Sequence, residues 1–222
     1  MNSFSKKNST CAVIPFYNER KTISKIINRT LDYVDLIIAV DDGSTDGSGN
    51  SIQKNDRIIL LTLGKNCGKG LALKQGFEKS IILNTDYTIS LDADFQHPPE
   101  IIPKLISELE EFDIVIGNRL SDIKTMPLIR IASNKITSFL LSFKTKMKLI
   151  DTQCGFRAFK TGKLKYILSE FNGYEAESEM LVKAAKRNYK IGFVDIPTIY
   201  GSEESKMKSF KTIFGFLKVF FS

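Results

Sequence analysis

Asp92 and Asp94 stand one residue apart after the apolar, β-prone run Tyr87–Leu91, and Gln96 follows with the same spacing. In an extended segment, residues i and i+2 point to the same face, so these three oxygen-bearing side chains would converge at a strand end. Such ligands suit Mg²⁺ or Mn²⁺, and Mg²⁺ often combines one or two carboxylates with substrate phosphates. The spacing predicts a divalent-metal site, although Asp-x-Asp alone equally fits two solvated loop carboxylates.

Apolar runs alternate with amphipathic segments through the first half of the chain. Strands are predicted over residues 11–15, 36–40, 57–63, 87–91 and 113–117, and helices over residues 19–33, 71–80 and 98–112. This alternation predicts a mostly parallel sheet flanked by helices, in an α/β fold. Ligands of such sheets bind beyond the carboxyl ends of strands, so the polar segments found there are expected to share one site. These segments are Pro15–Glu19, Asp41–Asp46, Asp92–Gln96 and Asn118–Arg119.

The second half of the chain is less regular. Helices are predicted over residues 127–143 and 174–188, and a strand broken by Pro197 over residues 190–199. Residues 151–157 are predicted to form a loop or an edge segment that leads into residues 158–160. The tail, residues 205–222, mixes four lysines with apolar residues. It fits a packed core helix, a helix that binds a partner, or an amphipathic helix that lies on a membrane surface.

Two other motifs carry weaker signals. The loop Asp42–Gly47 resembles a calcium-binding EF-hand loop, but Gln53 stands where that loop needs a bidentate glutamate, and a strand precedes it. The glycine-rich segment Gly64–Gly70 lacks the spacing of a phosphate-binding P-loop. It is interpreted as a glycine-permitted turn before a helix. The alternative is a backbone approach to a nucleotide, with Lys65 or Lys69 near phosphate.

His97 is the only histidine of the chain. A general base is one role for it, but its place between Gln96 and two prolines favours a supporting role beside the metal site. Nucleophilic chemistry of the Ser-His-Asp or Cys-His kind is not indicated. Cys11, Cys67 and Cys154 lack the spacing of a zinc site or a disulfide framework, so reduced thiols in the cytoplasm are expected.

The chain of 222 residues has a formal net charge of +7 and a sequence pI of about 9.2. Such a charge suits nucleic acid, an anionic membrane surface or phosphorylated substrates. No nucleic-acid-binding motif accompanies the basic residues, so nucleic acid is the weakest of these partners. Residues 1–10 are polar and contain no apolar leader, and no apolar run approaches the length of about 20 residues that spans a bilayer.

Taken together, the motifs resemble the family 2 glycosyltransferases, which have the GT-A fold, and most closely those that make dolichyl- or polyprenyl-phosphate sugars. The segments that carry the resemblance are Ile14–Glu19, Val40–Asp46, Asn66–Gly70, Asp92–Glu100, Gly117–Arg119, Asp151–Arg157 and Ser205-Lys206. The resemblance implies a Rossmann-like, mostly parallel central sheet within a catalytic domain over residues 11–204. A polar extension over residues 1–10 would precede this domain, and a basic tail with a C-terminal amphipathic helix would follow it over residues 205–222.

The resemblance also implies roles for the matching positions. The donor, a GDP- or UDP-hexose, would contact Pro15, Tyr17, Glu19, Asp41, Asp92, Ala93 and Lys206. The metal, Mg²⁺ or Mn²⁺, would bind Asp92, Asp94 and Gln96. The acceptor phosphate would contact Arg119, Arg130 and Asn134. Catalysis would depend on Asp94, Arg119 and Asp151.

The implied reaction is a metal-dependent, inverting transfer of a hexose to a dolichyl or undecaprenyl phosphate at the inner face of the membrane. An ionised phosphate needs orientation rather than a base, which would explain arginines without a catalytic histidine. If the acceptor is instead a hydroxyl of a surface glycan, Asp151 is the first candidate base. A third hypothesis is a nucleotide-sugar-binding, membrane-docking protein without turnover. Two features found in parts of the family are absent: an arginine-rich stretch before Ser205-Lys206, and the Gln-x-x-Arg-Trp motif of processive polymer synthases.

Overall fold

The computed structural model describes residues 8–121, 123, 126–197 and 218–220. Its strands are β1 (Thr10–Phe16), β2 (Leu36–Asp41), β3 (Ile58–Thr62), β4 (Tyr87–Ser90), β5 (Ile114–Asn118), β6 (Arg157–Lys160) and β7 (Ile191–Asp195). Its α-helices are α1 (Ile23–Thr30), α2 (Lys69–Ile82), α3 (Ile102–Glu108), α4 (Leu128–Thr145), α5 (Thr161–Leu164) and α6 (Ala176–Lys186). Short 3₁₀ turns occupy Gly49–Ser51 and Pro99–Ile101.

Over the described residues the strands form one seven-stranded sheet in the order β3-β2-β1-β4-β6-β5-β7. Neighbouring strands are parallel except where β6 pairs with β4 and with β5. Strand β1 is buried along its whole length, as expected of an apolar strand in a sheet covered on both faces. The prediction of a mostly parallel sheet flanked by helices is therefore confirmed.

Strand β6 corrects the prediction for residues 151–160. The sequence predicts a loop or an edge segment over residues 151–157 and assigns no strand to residues 158–160, whereas residues 157–160 form a strand inside the sheet, between β4 and β5. Arg157 is the first residue of β6, and its charged guanidinium group does not indicate a buried strand in the sequence. The structure satisfies that group with backbone carbonyl oxygens: Nε donates to Cys154 at 2.7 Å, Nη1 to Glu177 at 3.0 Å and Nη2 to Thr152 at 2.9 Å. Cys154 and Thr152 belong to the loop before β6, and Glu177 belongs to α6, so burial of this guanidinium group depends on how that loop folds and where α6 packs.

Helix boundaries differ from the predictions in two places. Helix α1 is shorter than the predicted span 19–33, because residues Tyr17–Thr22 belong to a loop tied to the β2 loop. The predicted helix 98–112 begins as the 3₁₀ turn Pro99–Ile101 and ends at Glu108. Pro103 has no amide hydrogen to donate to the carbonyl oxygen of Pro99, which interrupts regular α-helical bonding at this point.

The C-terminal tail is described only at residues 218–220, which form a helical turn. Val219 is fully buried there, and the Lys144 ammonium group donates to the carbonyl oxygen of Phe220 at 2.7 Å. This turn therefore packs against α4. The rest of the predicted tail helix, including Lys206, lies outside the described residues. Among the helices that the structure does describe, each is too short or too polar to cross a bilayer.

Candidate active site

The loops after β1 and β2 are joined by hydrogen bonds at the carboxyl edge of the sheet. The amide of Asn18 donates to Ser44 Oγ at 3.0 Å, and the amide of Glu19 donates to Ser48 Oγ at 2.8 Å. Asp41 is 5% exposed, and one of its carboxylate oxygens accepts the amide of Ser44 at 2.7 Å. Ser48 thus positions Glu19 through its hydroxyl group, and Ser44 positions Asp41 through its backbone amide.

The other residues predicted to contact the donor belong to β1 and to the loop that follows it. Pro15 is buried within β1, whereas Tyr17 and Glu19 are half-buried on the loop that follows. The Glu19 carboxylate accepts a hydrogen bond from the Thr22 hydroxyl at 2.8 Å. Binding of a nucleoside by this group stays a prediction.

Asp42 holds the glycine-rich turn in place. Its carboxylate accepts the amides of Cys67 at 2.7 Å and Gly68 at 2.9 Å. Gly68 has a φ of 106°, and a Cβ atom there would collide with the carbonyl oxygen of Asn172. The amide of Gly70 donates to the same oxygen at 2.7 Å. These contacts favour the interpretation of the segment as a tight turn, since its backbone packs against the loop before α6.

The acidic motif lies in a turn, which corrects the extended geometry assumed from the sequence. Strand β4 ends at Ser90, and residues 93–97 form turns and bends. Phe95 has a φ of 59°, which is unusual for a side chain without a local hydrogen-bonding group. The amide of Gln96 donates to Asp94 Oδ1 at 3.1 Å. The turn, and not strand alternation, therefore sets the relative directions of Asp92, Asp94 and Gln96.

The two carboxylates of the motif influence each other electrostatically. Burial and the charge of Asp92 together raise the pKa of Asp94 to about 6, and the charge of Glu19 adds to this effect. Two close carboxylates disfavour the ionisation of one another, and a cation placed between them would relieve that repulsion. The loops of β1 and β4 therefore face a common position.

Lys69 is the charged partner of Asp92. Its ammonium group lies 2.7 Å from Asp92 Oδ1 and 3.1 Å from Glu177 Oε2. Burial would lower the pKa of Lys69, but the two carboxylates outweigh burial and raise it above its ordinary value. Burial likewise opposes ionisation of Asp92, whereas Lys69 lowers the pKa of Asp92 below its usual range. Asp92 is therefore an ionised and oriented carboxylate.

Sequence reasoning missed this three-residue cluster. The sequence indicates Lys69 only as an alternative phosphate contact, and Glu177 only as one residue of the helix predicted over residues 174–188. Glu177 stands 108 positions from Lys69 in the chain, so no local spacing indicates the pair. Among the buried side chains described, Glu177 Oε1 is one of two polar atoms that lack a hydrogen-bond partner. It nevertheless lies 3.8 Å from the Arg157 guanidinium group.

Gly155 makes room for this cluster. A Cβ atom on Gly155 would lie 2.5 Å from Asp92 Oδ2 and 2.8 Å from the Lys69 ammonium nitrogen. The Gly155 carbonyl oxygen accepts the Ser90 hydroxyl at 2.8 Å, which fixes the loop against β4. Only a residue without a side chain permits that approach.

We therefore predict that Gly155→Ala separates Asp92 from Lys69. Transfer activity should fall by roughly 10-fold or more, because misplacement of a binding group by about 1 Å costs on this scale. Gly162→Ala is the matched control, because a Cβ atom there meets nothing within 4 Å. Steady-state rates and melting temperatures of both variants test this expectation. Wild-type activity in Gly155→Ala would contradict it.

Arg119 is anchored beside the acidic turn by Asp151. The Arg119 side chain donates through Nε to Asp151 Oδ2 and through Nη2 to Oδ1, both at 2.8 Å, and its amide donates to Oδ2 at 3.0 Å. Asp151 is fully buried and also accepts Asn134 Nδ2 at 2.6 Å. Burial alone would raise the pKa of Asp151, but the hydrogen bonds and charge of Arg119 lower it below its usual range. A bidentate pair of this kind orients an arginine well.

The three residues predicted to bind an acceptor phosphate have different environments in the structure. Arg119 is partly exposed at the end of β5, and Arg130 is half-buried in the first turn of α4. Asn134 is only 1% exposed and uses its side chain for Asp151 and Ser138. Direct phosphate binding by Asn134 is therefore disfavoured in this conformation, and Asn134 orients Asp151 instead.

His97 has the environment of a supporting residue. It is 3% exposed, lies stacked on Phe156 with ring centroids 5.9 Å apart, and places Nε2 3.9 Å from Cys154 Sγ. Burial, reinforced by the charge of Arg119, lowers the pKa of His97 to about 4. The ring is therefore neutral near pH 7. All three cysteines are free thiols, as expected.

The donor set at the acidic turn fits a divalent metal that shares its ligands with a substrate. Within the described ranges, no cluster of three or more His, Cys, Asp and Glu side chains forms a complete protein cage. The carboxylates of Asp92 and Asp94 and the side-chain carbonyl oxygen of Gln96 are hard oxygen donors. Such donors suit Mg²⁺ or Mn²⁺, whose coordination would be completed by phosphate oxygens and water. Ala93, predicted to lie by the donor, is 4% exposed between the two carboxylates.

Comparison with known proteins defines the class of protein. The model of the family described as Glycosyl transferase family 2 matches residues 11–168. The chain therefore belongs to glycosyltransferase family 2, and it is a glycosyltransferase. The resemblance inferred from the motifs is confirmed.

A relative from Methanococcus voltae, named UDP-N-acetylglucosamine–dolichyl-phosphate N-acetylglucosaminyltransferase, is 32% identical over 94% of this chain and 92% of its own length. A Proteus mirabilis protein named undecaprenyl-phosphate 4-deoxy-4-formamido-L-arabinose transferase is 31% identical over 72% of this chain, but the match spans only 51% of that protein. The crystal structure of Mycobacterium tuberculosis glucosyl-3-phosphoglycerate synthase superposes with a TM-score of 0.75, covering 96% of this chain and 79% of that chain at 18% identity. This structural likeness confirms the GT-A fold.

Proposed function

We propose that this glycosyltransferase moves a hexose from a nucleotide sugar to a polyprenyl phosphate, with inversion and with a divalent metal. One observation carries the choice of acceptor: both candidate bases are engaged in other roles. His97 is buried and neutral, and Asp151 is fully buried in a bidentate pair with Arg119. A hydroxyl acceptor requires a base, whereas an ionised phosphate requires orientation. The names of the two relatives support the same acceptor class.

We assign these roles from the family resemblance and, for the described residues, from their positions; Lys206 lies outside the described residues, so its role rests on the resemblance alone. Asp94 and Gln96 hold the metal, and Asp92, oriented by Lys69, completes its protein ligands. When bound, the metal supplies Lewis-acid stabilisation of the charge that develops on the departing diphosphate. Pro15, Tyr17, Glu19, Asp41 and Ala93 line the donor site, and Lys206 is proposed to contact the donor phosphates.

Arg119 is the residue proposed to receive the acceptor phosphate, with Arg130 as a second contact. Asp151 and Asn134 keep the Arg119 guanidinium group in one orientation, so little side-chain entropy is lost when a phosphate binds. Because the acceptor is a membrane lipid in this proposal, the protein would work at the inner, cytoplasmic face of a membrane. UDP-sugars are the first donors to test, and GDP-sugars the second.

The test is a transfer assay with Mn²⁺ and a panel of UDP- and GDP-hexoses. Each donor is paired with dolichyl or undecaprenyl phosphate in detergent, with the corresponding polyprenol, and with saccharide acceptors. We expect a product only with the phosphorylated lipids, since the polyprenol has the same chain without the group that Arg119 would bind. A product on saccharides alone would establish the hydroxyl alternative. Donor binding without turnover on any acceptor would favour the non-catalytic alternative, which family membership disfavours.

A further inference from the structure

The outer face of α4 carries a band of exposed apolar side chains. Leu128, Ile129, Ile136, Phe139 and Phe143 are between 59% and 84% exposed, and we call them the outer face of α4. At helical spacing they fall within a sector roughly 100° wide. The opposite side of the same helix is buried through Ile131, Asn134, Ser138 and Leu141. One side of α4 is therefore buried in the protein, whereas the opposite side presents an apolar surface that the described residues leave exposed.

Scattered exposed apolar residues are ordinary, but a continuous band on one helix marks an interaction surface. Two phenylalanines, one turn apart, contribute much of its area. The chain gives this band no acidic neighbour in sequence: residues 123–150 contain six basic residues and no Asp or Glu. The basic residues are Lys124, Arg130, Lys135, Lys144, Lys146 and Lys148.

The positive charge and the apolar area of the outer face of α4 together favour a bilayer as its binding partner. An apolar helix face flanked by lysines matches the boundary between the acyl chains and the anionic headgroups of a bilayer. A second copy of this chain would bring two basic faces together, and like charges across an interface oppose association. The described part of the chain's own tail contacts α4 at Lys144, which is not part of the outer face, and residues 205–222 contain four lysines and no acidic residue, so the tail is a poor match for this face.

The outer face is also close to the proposed acceptor site. Asn134, on the inner side of α4, donates to Asp151, which in turn holds Arg119. The two sides of a helix with its side chains are about 10 Å apart. A bilayer against the outer face would therefore lie within about one helix diameter of the groups that position Arg119.

We propose that the outer face of α4 docks on an anionic bilayer surface, with its apolar side chains at the headgroup boundary and Lys135, Lys146 and Lys148 near the headgroups. This location is on α4, whereas the sequence analysis considered membrane contact only for the tail and left packing as the alternative. The inference deepens the proposed function, because a polyprenyl phosphate acceptor resides in a bilayer. Docking itself requires neither donor nor acceptor, so it is testable alone.

The test is co-sedimentation of the full chain with vesicles of phosphatidylcholine, with and without phosphatidylglycerol, in the absence of any sugar nucleotide. The wild type should bind the anionic vesicles, and binding should weaken as salt is raised. The double variant Phe139→Ser/Phe143→Ser should bind roughly 10-fold or more weakly. Ile82→Ser is the matched control, because Ile82 is 75% exposed at the end of α2, and it should bind like the wild type.

Further measurements separate the proposal from other occupants. If the double variant lowers the melting temperature markedly, the tail or another part of the chain covers the face, and the proposal is overturned. A dimeric wild type that the double variant converts to a monomer in light scattering would assign the face to a second copy instead. Unchanged vesicle binding by the double variant would also overturn it.

The charge contribution has its own variant. Lys135→Glu/Lys148→Glu leaves the apolar residues in place and should weaken binding to the anionic vesicles selectively. Equal binding to anionic and neutral vesicles by wild type and charge variant would contradict the proposal. Transfer to a short-chain, water-soluble polyprenyl phosphate should persist in the Phe139→Ser/Phe143→Ser variant. Failure of transfer in the wild type would therefore count against the proposed function and leave the docking result intact.

Discussion

Asp94→Ala is expected to lower the turnover of sugar transfer by about 100-fold or more. Removal of a group that stabilises developing charge typically costs on this scale. Asp94 lies in the turn after β4, where burial and Asp92 raise its pKa to about 6. A carboxylate held so close to another is predisposed to bind a cation, and alanine removes its oxygen donors.

The measurement combines transfer rates with calorimetric titration of Mn²⁺ in the presence of a nucleoside diphosphate. Asp94→Ala should weaken Mn²⁺ binding as well as turnover, and Asp94→Asn should be intermediate because it keeps one oxygen donor. In the wild type, Mn²⁺ binding should weaken as the pH falls below about 6, where protonation of Asp94 competes with the cation. Asp56→Ala, an exposed carboxylate before β3, is the control. Undiminished transfer by Asp94→Ala would refute the metal assignment.

Asp151→Ala is expected to destabilise the fold by about 3–5 kcal/mol, the usual cost of removing one partner of a buried ion pair, because the Arg119 charge would then be uncompensated. The substitution removes the bidentate partner of Arg119 and the acceptor of the Asn134 amide. Unfolding in denaturant measures the loss. Glu100→Gln is the control, because Glu100 and its partner Arg29 are nearly half exposed, and such surface pairs contribute about 0–1 kcal/mol.

The pH dependence of this contribution has a definite sign. The pKa of Asp151 is lowered in the folded protein, so its contribution to stability is complete above its ordinary value of 3.8 and is lost as the pH falls through the lower folded value. The double variant Arg119→Ala/Asp151→Ala should recover part of the stability, because neither charge is then unpaired. It should still lack transfer activity. Additive losses in the double variant would show that the two groups act independently.

The sequence contained enough information for the class of protein and for most of the fold. Apolar runs such as Leu36–Val40 predict strands because a strand covered on both faces needs apolar side chains at every position. Polar segments at the ends of those runs predict one shared edge, and the structure joins the loops of Asn18 and Ser44 there. These predictions succeeded because each depends on neighbours within a few positions.

Boundaries and strand β6 required more than local pattern. Arg157 looks like a surface residue in the sequence, yet it is 1% exposed because carbonyl oxygens of the preceding loop and of α6 accept hydrogen bonds from its guanidinium group. The sequence likewise did not indicate that one apolar side of α4 is exposed, because periodicity shows where apolar residues lie on a helix but not which side packs against the core. Both outcomes depend on how distant elements pack.

The acidic motif Asp92–Gln96 illustrates both what the sequence alone shows and what requires the tertiary structure. The sequence alone shows that Asp92, Asp94 and Gln96 follow a strand, and these side chains carry the oxygen donors that a divalent metal needs wherever the chain places them. Only the tertiary structure decided that Lys69 and Glu177 brace Asp92, that Gly155 leaves them space, and that Asp151 holds Arg119 nearby. These partners are far apart in the chain, and burial and charge act on them only after the sheet brings them within a few ångströms.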